Sequence, residues 1–387
     1  MRRGLAVSTI FPLGRLLPAF TAASFHPPVK KDVCNGADAF TLWAALQESR
    51  EGTVCRPLEF YVRFGQGGEK IGALMNPRDL VMVFSSLASM AAGVFLPQLA
   101  APLAAMPRLI LIFMLYMSFL AVGVEELRQE TRTMAVPLCL LTFYRLALLP
   151  ILCLAVFRLI MPQFALGAFL LGASPVGVMA AVFSLMLRAN TALILVANIA
   201  TSLLLPLSLP AMLSLTDSAL RMLGLTPLSL PPHLELGHMG LSLAVTILLP
   251  FAAAHLTRTY WNKLRRTLLQ QQFPLLTVAI AVSNISIFSN YGDLLRQSPS
   301  FIFQALGAAC LLCVLMTLAA LPITRHMTRQ TRLAFLISFG VINNVLLMIV
   351  CMEFFSATEA LMAAAYLVPL YILLFYYRLC SREPAQT

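Results

Sequence analysis

Residues 335–344 read FLISFGVINN and lie near the middle of an apolar run long enough to cross a lipid bilayer. A plain apolar helix has no use for a serine, a glycine and two adjacent asparagines at that depth, because an unpartnered polar group in hydrocarbon is costly. The stretch predicts a helix that breaks at mid-membrane, with Ser338, Asn343 and Asn344 placed to serve the backbone groups the break exposes. What the break is for depends on where this run falls among the others.

At about 20 apolar residues per crossing, the chain contains ten candidate spans in two groups of five. They are 79–100, 106–124, 134–160, 163–187 and 191–215, then 239–256, 271–291, 300–323, 332–352 and 357–377. A polar, proline-containing link at 217–238 divides the halves 79–216 and 239–378, and 379–387 form a tail. Five is odd, so the second group enters the membrane from the opposite side, which is the arithmetic of an inverted-topology repeat. The expected fold is an all-α polytopic membrane protein. Hydrophobic residues at 59%, charged residues at 11% and a mean hydropathy of +0.84 exclude an ordinary soluble domain.

The 27 Lys and Arg outnumber the 16 Asp and Glu, but the excess lies in short loops between apolar runs, where it sets orientation rather than binding nucleic acid. Arg128, Arg188, Arg258, Lys263, Arg329 and Arg382 fall on one side, against Arg108, Arg158, Arg221 and Arg296 on the other. That bias places both termini in the cytoplasm, for a protein of a bacterial inner membrane. Residues 1–78 stand outside the span pattern. Two readings of them stay open: a polar cytoplasmic extension, or a start called upstream of a natural one at Met75.

The spans hold no Asp or Glu away from their ends, which argues against a proton or cation relay built on a buried carboxylate. Arg145, in FYRLALLP, is the exception among charges and sits at least 11 residues from either end of its span. A guanidinium there is read either as the partner of a carboxylate or sulfonate, or as a donor to backbone carbonyls of a broken helix nearby. The fourth span supplies such a helix in LLGASPVGVMAAVF, where Pro175 lacks an N–H and Gly177 permits close approach of another backbone. It occupies the same place in its group as FLISFGVINN does in the second. Ser174, Pro175, Gly177, Ser338, Asn343 and Asn344 are thus expected at a crossing of two discontinuous helices, with Asn198 and Thr201 facing it from the fifth span. Asn284, Ser286 and Asn290 either line a cavity or face water. Eight scattered cysteines read as packing residues. No Ser/His/Asp set, HExxH or phosphate loop is present, so neither an enzyme nor a cofactor or metal centre is expected.

On these residues the chain resembles the bile acid:sodium symporter family over about 79–378. SPVGVMAAVFSLMLRANTALILVANIATSLLLPLSLP is similar to that family's fourth and fifth helices, RLAFLISFGVINN to its ninth and TFYRLALLP to its third. The resemblance implies a panel domain of helices one, two, six and seven. It also implies a core domain of helices three to five and eight to ten, with substrate carried near the crossover. It further implies that the sodium-ligand positions are Ala180, Ala181, Ile194, Asn198, Ser338 and Ile342, with Arg145 where the third helix carries Gln. Alanine and isoleucine offer no side-chain oxygen, and a fixed guanidinium repels a cation. The expected function is a sodium-independent carrier of a small organic anion, whether a carboxylate, a sulfonate or a bile-acid-like molecule. Arg145 is its charge partner, and Ser174, Asn198, Ser338, Asn343 and Asn344 are its neutral contacts. The alternatives are a symporter with relocated sodium ligands and a non-transporting sensor or anchor on the same fold. Arsenite efflux, known in a related branch, is disfavoured because the fourth-span crossing has no cysteine. Oligomeric state is not encoded in these signals.

Overall fold

The computed structural model describes residues 77–96, 106–121, 132, 134–290, 292 and 299–373. The extension up to residue 76, the segment with Glu125, Glu126 and Arg128, Arg296 and the tail from 374 lie outside them. Among the described residues all regular structure is helical, apart from one isolated antiparallel bridge between Val176 and Ile342.

The helices are α1 (Pro77–Phe95), α2 (Pro107–Leu120), α3 (Ala135–Ile160), α4 (Ala165–Gly172), α5 (Met179–Met186), α6 (Thr191–Met222) and α7 (Leu236–Tyr260). They continue with α8 (Asn262–Gln270), α9 (Gln272–Asn290), α10 (Pro299–Ile323), α11 (Arg329–Gly340), α12 (Asn344–Phe354) and α13 (Ala357–Leu373), the last with a turn at Tyr366. Five of these, α3, α6, α7, α9 and α10, are long and apolar enough to cross a membrane. Their outer surfaces fit that setting: Leu159 is 87% exposed and Leu207 75%, an arrangement suited to lipid rather than water. The protein is a multi-pass membrane protein.

The fourth and ninth of the apolar runs expected from sequence are each two short helices, α4 with α5 and α11 with α12, joined by extended chain. Other boundaries shift for local reasons. α1 stops at Phe95 rather than near 100 because Pro97 keeps the residue before it out of helical conformation. α6 continues past 215 to Met222, its polar last turns joined by an Asp217–Arg221 pair at 2.8 Å. The basic stretch after the sixth span forms the separate short helix α8.

Packing sorts the helices into two groups. α1 packs on α9, and α2 on α7 and α9. In the other group α3 packs on α4, α10 on α11 and α13, α4 on α13, and α6 on α3, α5 and α11. The groups meet where α6 lies along α7 and where α12 touches α2 and α9.

Candidate functional site

The site is built on the two breaks. α4 ends at Gly172, followed by Ala173 and Ser174, because Pro175 has no N–H to donate and disfavours helical conformation in the residue before it. α11 ends at Gly340, and Val341 leaves it in extended conformation with φ −99° and ψ 96°. The two extended segments pair back to back. The Gly177 N–H donates to the Val341 carbonyl at 2.8 Å, and the Asn343 N–H donates to the Pro175 carbonyl at 3.0 Å. A Cβ on Gly177 would collide with the Ile342 carbonyl oxygen and lie 2.8 Å from its carbon, so only glycine permits this approach.

Two short helices ending at one point leave carbonyls without intrahelical donors, and the negative ends of two helix dipoles face each other there. Arg145 answers both. It is fully buried, at 0% exposure, and its Nε donates to the Ser174 carbonyl while its Nη1 donates to the Phe339 carbonyl, each at 2.8 Å. One guanidinium thus joins the C-terminal ends of α4 and α11. α3 presents it from a π turn at Tyr144–Leu148, where the Leu149 N–H reaches back five residues to the Tyr144 carbonyl. Pro150 explains the turn: its ring would crowd the carbonyl four residues earlier, and the wider loop relieves the clash.

Further donors complete the crossing. The Tyr366 hydroxyl donates to the Gly340 carbonyl at 2.9 Å. Three consecutive carbonyls, of Phe339, Gly340 and Val341, therefore meet three different donors. The Val176 N–H donates to Thr201 Oγ1 at 3.1 Å, and that hydroxyl passes its own proton to the Ala197 carbonyl at 2.6 Å. Ser174 Oγ donates to the Pro175 carbonyl at 3.2 Å.

Against this background a few buried polar atoms have no hydrogen-bond partner among the described residues. They include Arg145 Nη2, Ser338 Oγ, Asn343 Nδ2 and both Nδ2 and Oδ1 of Asn344. Asn343 Oδ1 accepts from the Leu346 N–H at 3.4 Å and caps α12. That contact fixes the amide's orientation and leaves its NH2 as a free donor. Asn344, only 4% exposed, is the first residue of α12, where the positive end of the helix dipole also favours negative charge.

Asn198 is engaged elsewhere: its Nδ2 donates to Ser118 Oγ of α2 at 3.1 Å, across the seam between the two helix groups. Asn284 is buried, and its Nδ2 donates to Ser86 Oγ at 3.0 Å and Ser89 Oγ at 3.2 Å, holding α9 to α1. Of the three α9 residues only Asn290 is exposed. Ala180, Ile194 and Ile342 are buried with no side-chain oxygen. Tyr366 is the residue that sequence reasoning missed. Its signal was a phenol in the alanine-rich run ALMAAAYLV, since a buried tyrosine hydroxyl needs an acceptor.

Residues 108–298, from the start of α2 to the end of α9, match the model of the Sodium Bile acid symporter family. Comparison with curated protein sequences gives no match. With this match joined to a multi-pass helical fold, the chain belongs to the sodium bile acid symporter family, a family of membrane transporters.

Proposed function

We propose that the protein is a sodium-independent carrier of a small organic anion, a carboxylate or sulfonate, bound at the crossing of the two broken helices. The observation that carries this reading is the Arg145 guanidinium donating to the Ser174 and Phe339 carbonyls. It puts a permanent positive charge where two negative helix ends converge, and it engages carbonyls that a bound cation would otherwise use. The absence of side-chain oxygen at Ala180, Ala181, Ile194 and Ile342 supports the same reading, because sodium needs several oxygen ligands. Arg145 serves the anion through its charge and its remaining Nη2, and Asn343 Nδ2 and Asn344 add neutral hydrogen bonds. Ser174, Pro175, Gly177 and Ser338 shape the crossing. Asn198, engaged with Ser118 across the seam with α2, is left out of the set that meets the anion.

The architecture we propose is ten spans in two inverted five-helix repeats, with both termini on the cytoplasmic side of a bacterial inner membrane. Exchanging the first five spans for the second five turns the α1–α9 contact into the α7–α2 contact and the α3–α4 contact into the α10–α11 contact, and each of these pairs is packed. The group of α1, α2, α7 and α9 corresponds to a panel and the remainder to a core that moves against it.

The test is thermal unfolding of the detergent-purified protein, in potassium salts, with a panel of small carboxylates and sulfonates. At least one anion is expected to stabilise the wild type saturably and to lose about tenfold or more in affinity in Asn344→Ala, the loss of a buried hydrogen-bonding pair. If no anion in the panel stabilises the wild type, or if Asn344→Ala binds as tightly, the crossing is not an anion site.

A further inference from the structure

A second polar constellation lies at the far end of α12, nine residues and about 14 Å along the helix from Asn344. Arg108 in the first turn of α2 directs Nη2 to Ser242 Oγ at 2.9 Å and to Thr246 Oγ1 at 3.2 Å, both on α7. Ser242 Oγ gives its proton to Glu353 Oε1 at 3.0 Å, and Arg108 Nη1 stands 3.5 Å from the same oxygen. Thr246 Oγ1 gives its proton to the Ser242 carbonyl at 2.8 Å and so is free to accept from Arg108. Each of the two hydroxyls donates one proton and accepts from Arg108 Nη2, which also lies 3.5 Å from the Ser242 carbonyl, and Glu353 only accepts.

Three properties separate this arrangement from a simple surface ion pair. Arg108 Nη2 is bonded to Ser242 and Thr246 directly rather than through Glu353, so one arm of the receptor is positioned by α2 and α7 alone. Its carboxylate comes from a different helix group, on α12. A cavity of about 180 Å³ opens beside it, lined by Pro107, Arg108, Ile349, Met352 and Glu353, while the Arg108 and Glu353 side chains remain 43% and 32% exposed. A half-exposed pair is weakly held, so a free carboxylate has both access and room to replace it.

We infer that Arg108, Ser242 and Thr246 form a second carboxylate-binding site, occupied in this structure by the protein's own Glu353, and that an incoming carboxylate displaces Glu353. Displacement removes the polar tie between α12 and the α2–α7 pair. Any effect of this displacement on the anion at the crossing, where α12 begins at Asn344, rests on the anion-carrier reading above. The binding site itself does not depend on that reading.

Potassium acetate is the probe, compared with potassium chloride at matched ionic strength in thermal unfolding. Glu353→Ala is expected to gain a saturable rise in midpoint of about 1–3 °C in acetate. The wild type is expected to show a smaller rise reached only at higher acetate concentration, because acetate must first displace Glu353, and the double variant Glu353→Ala with Arg108→Gln to show none. Glu353→Gln, which keeps the side-chain volume, guards against a packing effect and is expected to respond less than Glu353→Ala. An acetate effect that is absent from Glu353→Ala, or that survives removal of Arg108, overturns the site. If Glu353→Ala responds while no anion stabilises the wild type at the crossing, this site stands and the anion-carrier reading falls. The opposite pair of results removes this site alone.

Discussion

Arg145→Leu is expected to lower stability by about 2–6 kcal/mol, since each of two buried carbonyls left without a donor costs about 1–3 kcal/mol. The carbonyls of Ser174 and Phe339 belong to different broken helices, so the loss falls on the crossing itself. Arg145→Gln keeps one amide NH2 and is expected to recover part of the loss. Arg145→Lys is expected to fall between them, because an ammonium does not reproduce the planar fork that reaches two acceptors. All three are expected to lose stabilisation by anions. Thermal unfolding in detergent, with and without the stabilising anion, ranks them. Wild-type stability in Arg145→Leu would mean that the crossing does not depend on this guanidinium.

Gly177→Ala produces a loss of similar size by a different route. The new methyl meets the Ile342 backbone, whose carbonyl carbon lies 2.8 Å from its position, and backbone cannot move aside as a flexible side chain does. Relief requires breaking the Gly177–Val341 and Asn343–Pro175 hydrogen bonds, so a cost of about 3 kcal/mol or more is expected, together with loss of anion binding. Gly237→Ala in α7 and Gly307→Ala in α10 are the controls. A Cβ at either position meets nothing within 4 Å, and each is expected to be neutral or to gain up to about 1 kcal/mol in helix propensity. Unfolding midpoints of the three variants decide the matter, and equal behaviour of Gly177→Ala and the controls would contradict the geometry of the crossing.

Much of the helical layout was legible because its causes are local. Apolar runs of membrane length mark the spans, Pro175 announces the end of α4, and the asparagines after Gly340 mark the start of α12. The role of Arg145 was not decidable from local pattern. Its two acceptors lie 29 and 194 residues away, so sequence left an anion partner and a carbonyl donor equally open. The structure places the guanidinium as donor to both breaks at once, an outcome that depends on α4 and α11 converging. The π turn that aims Arg145 follows from Pro150, but a proline in a helix also produces kinks, and sequence does not choose between them. Asn198 shows the same limit. Its position on the fifth span was plain, whereas its partner Ser118 is supplied by a helix 80 residues earlier. Tyr366 stayed hidden because its acceptor is a carbonyl exposed only by the break in another helix.

The most direct measurement is the wild-type unfolding midpoint, and the affinity of a stabilising anion, in sodium chloride and in potassium chloride at equal ionic strength. The sodium-independent reading predicts that both quantities are the same in the two salts. A saturable rise in midpoint or in anion affinity specific to sodium would contradict the account and require ion ligands elsewhere in the chain.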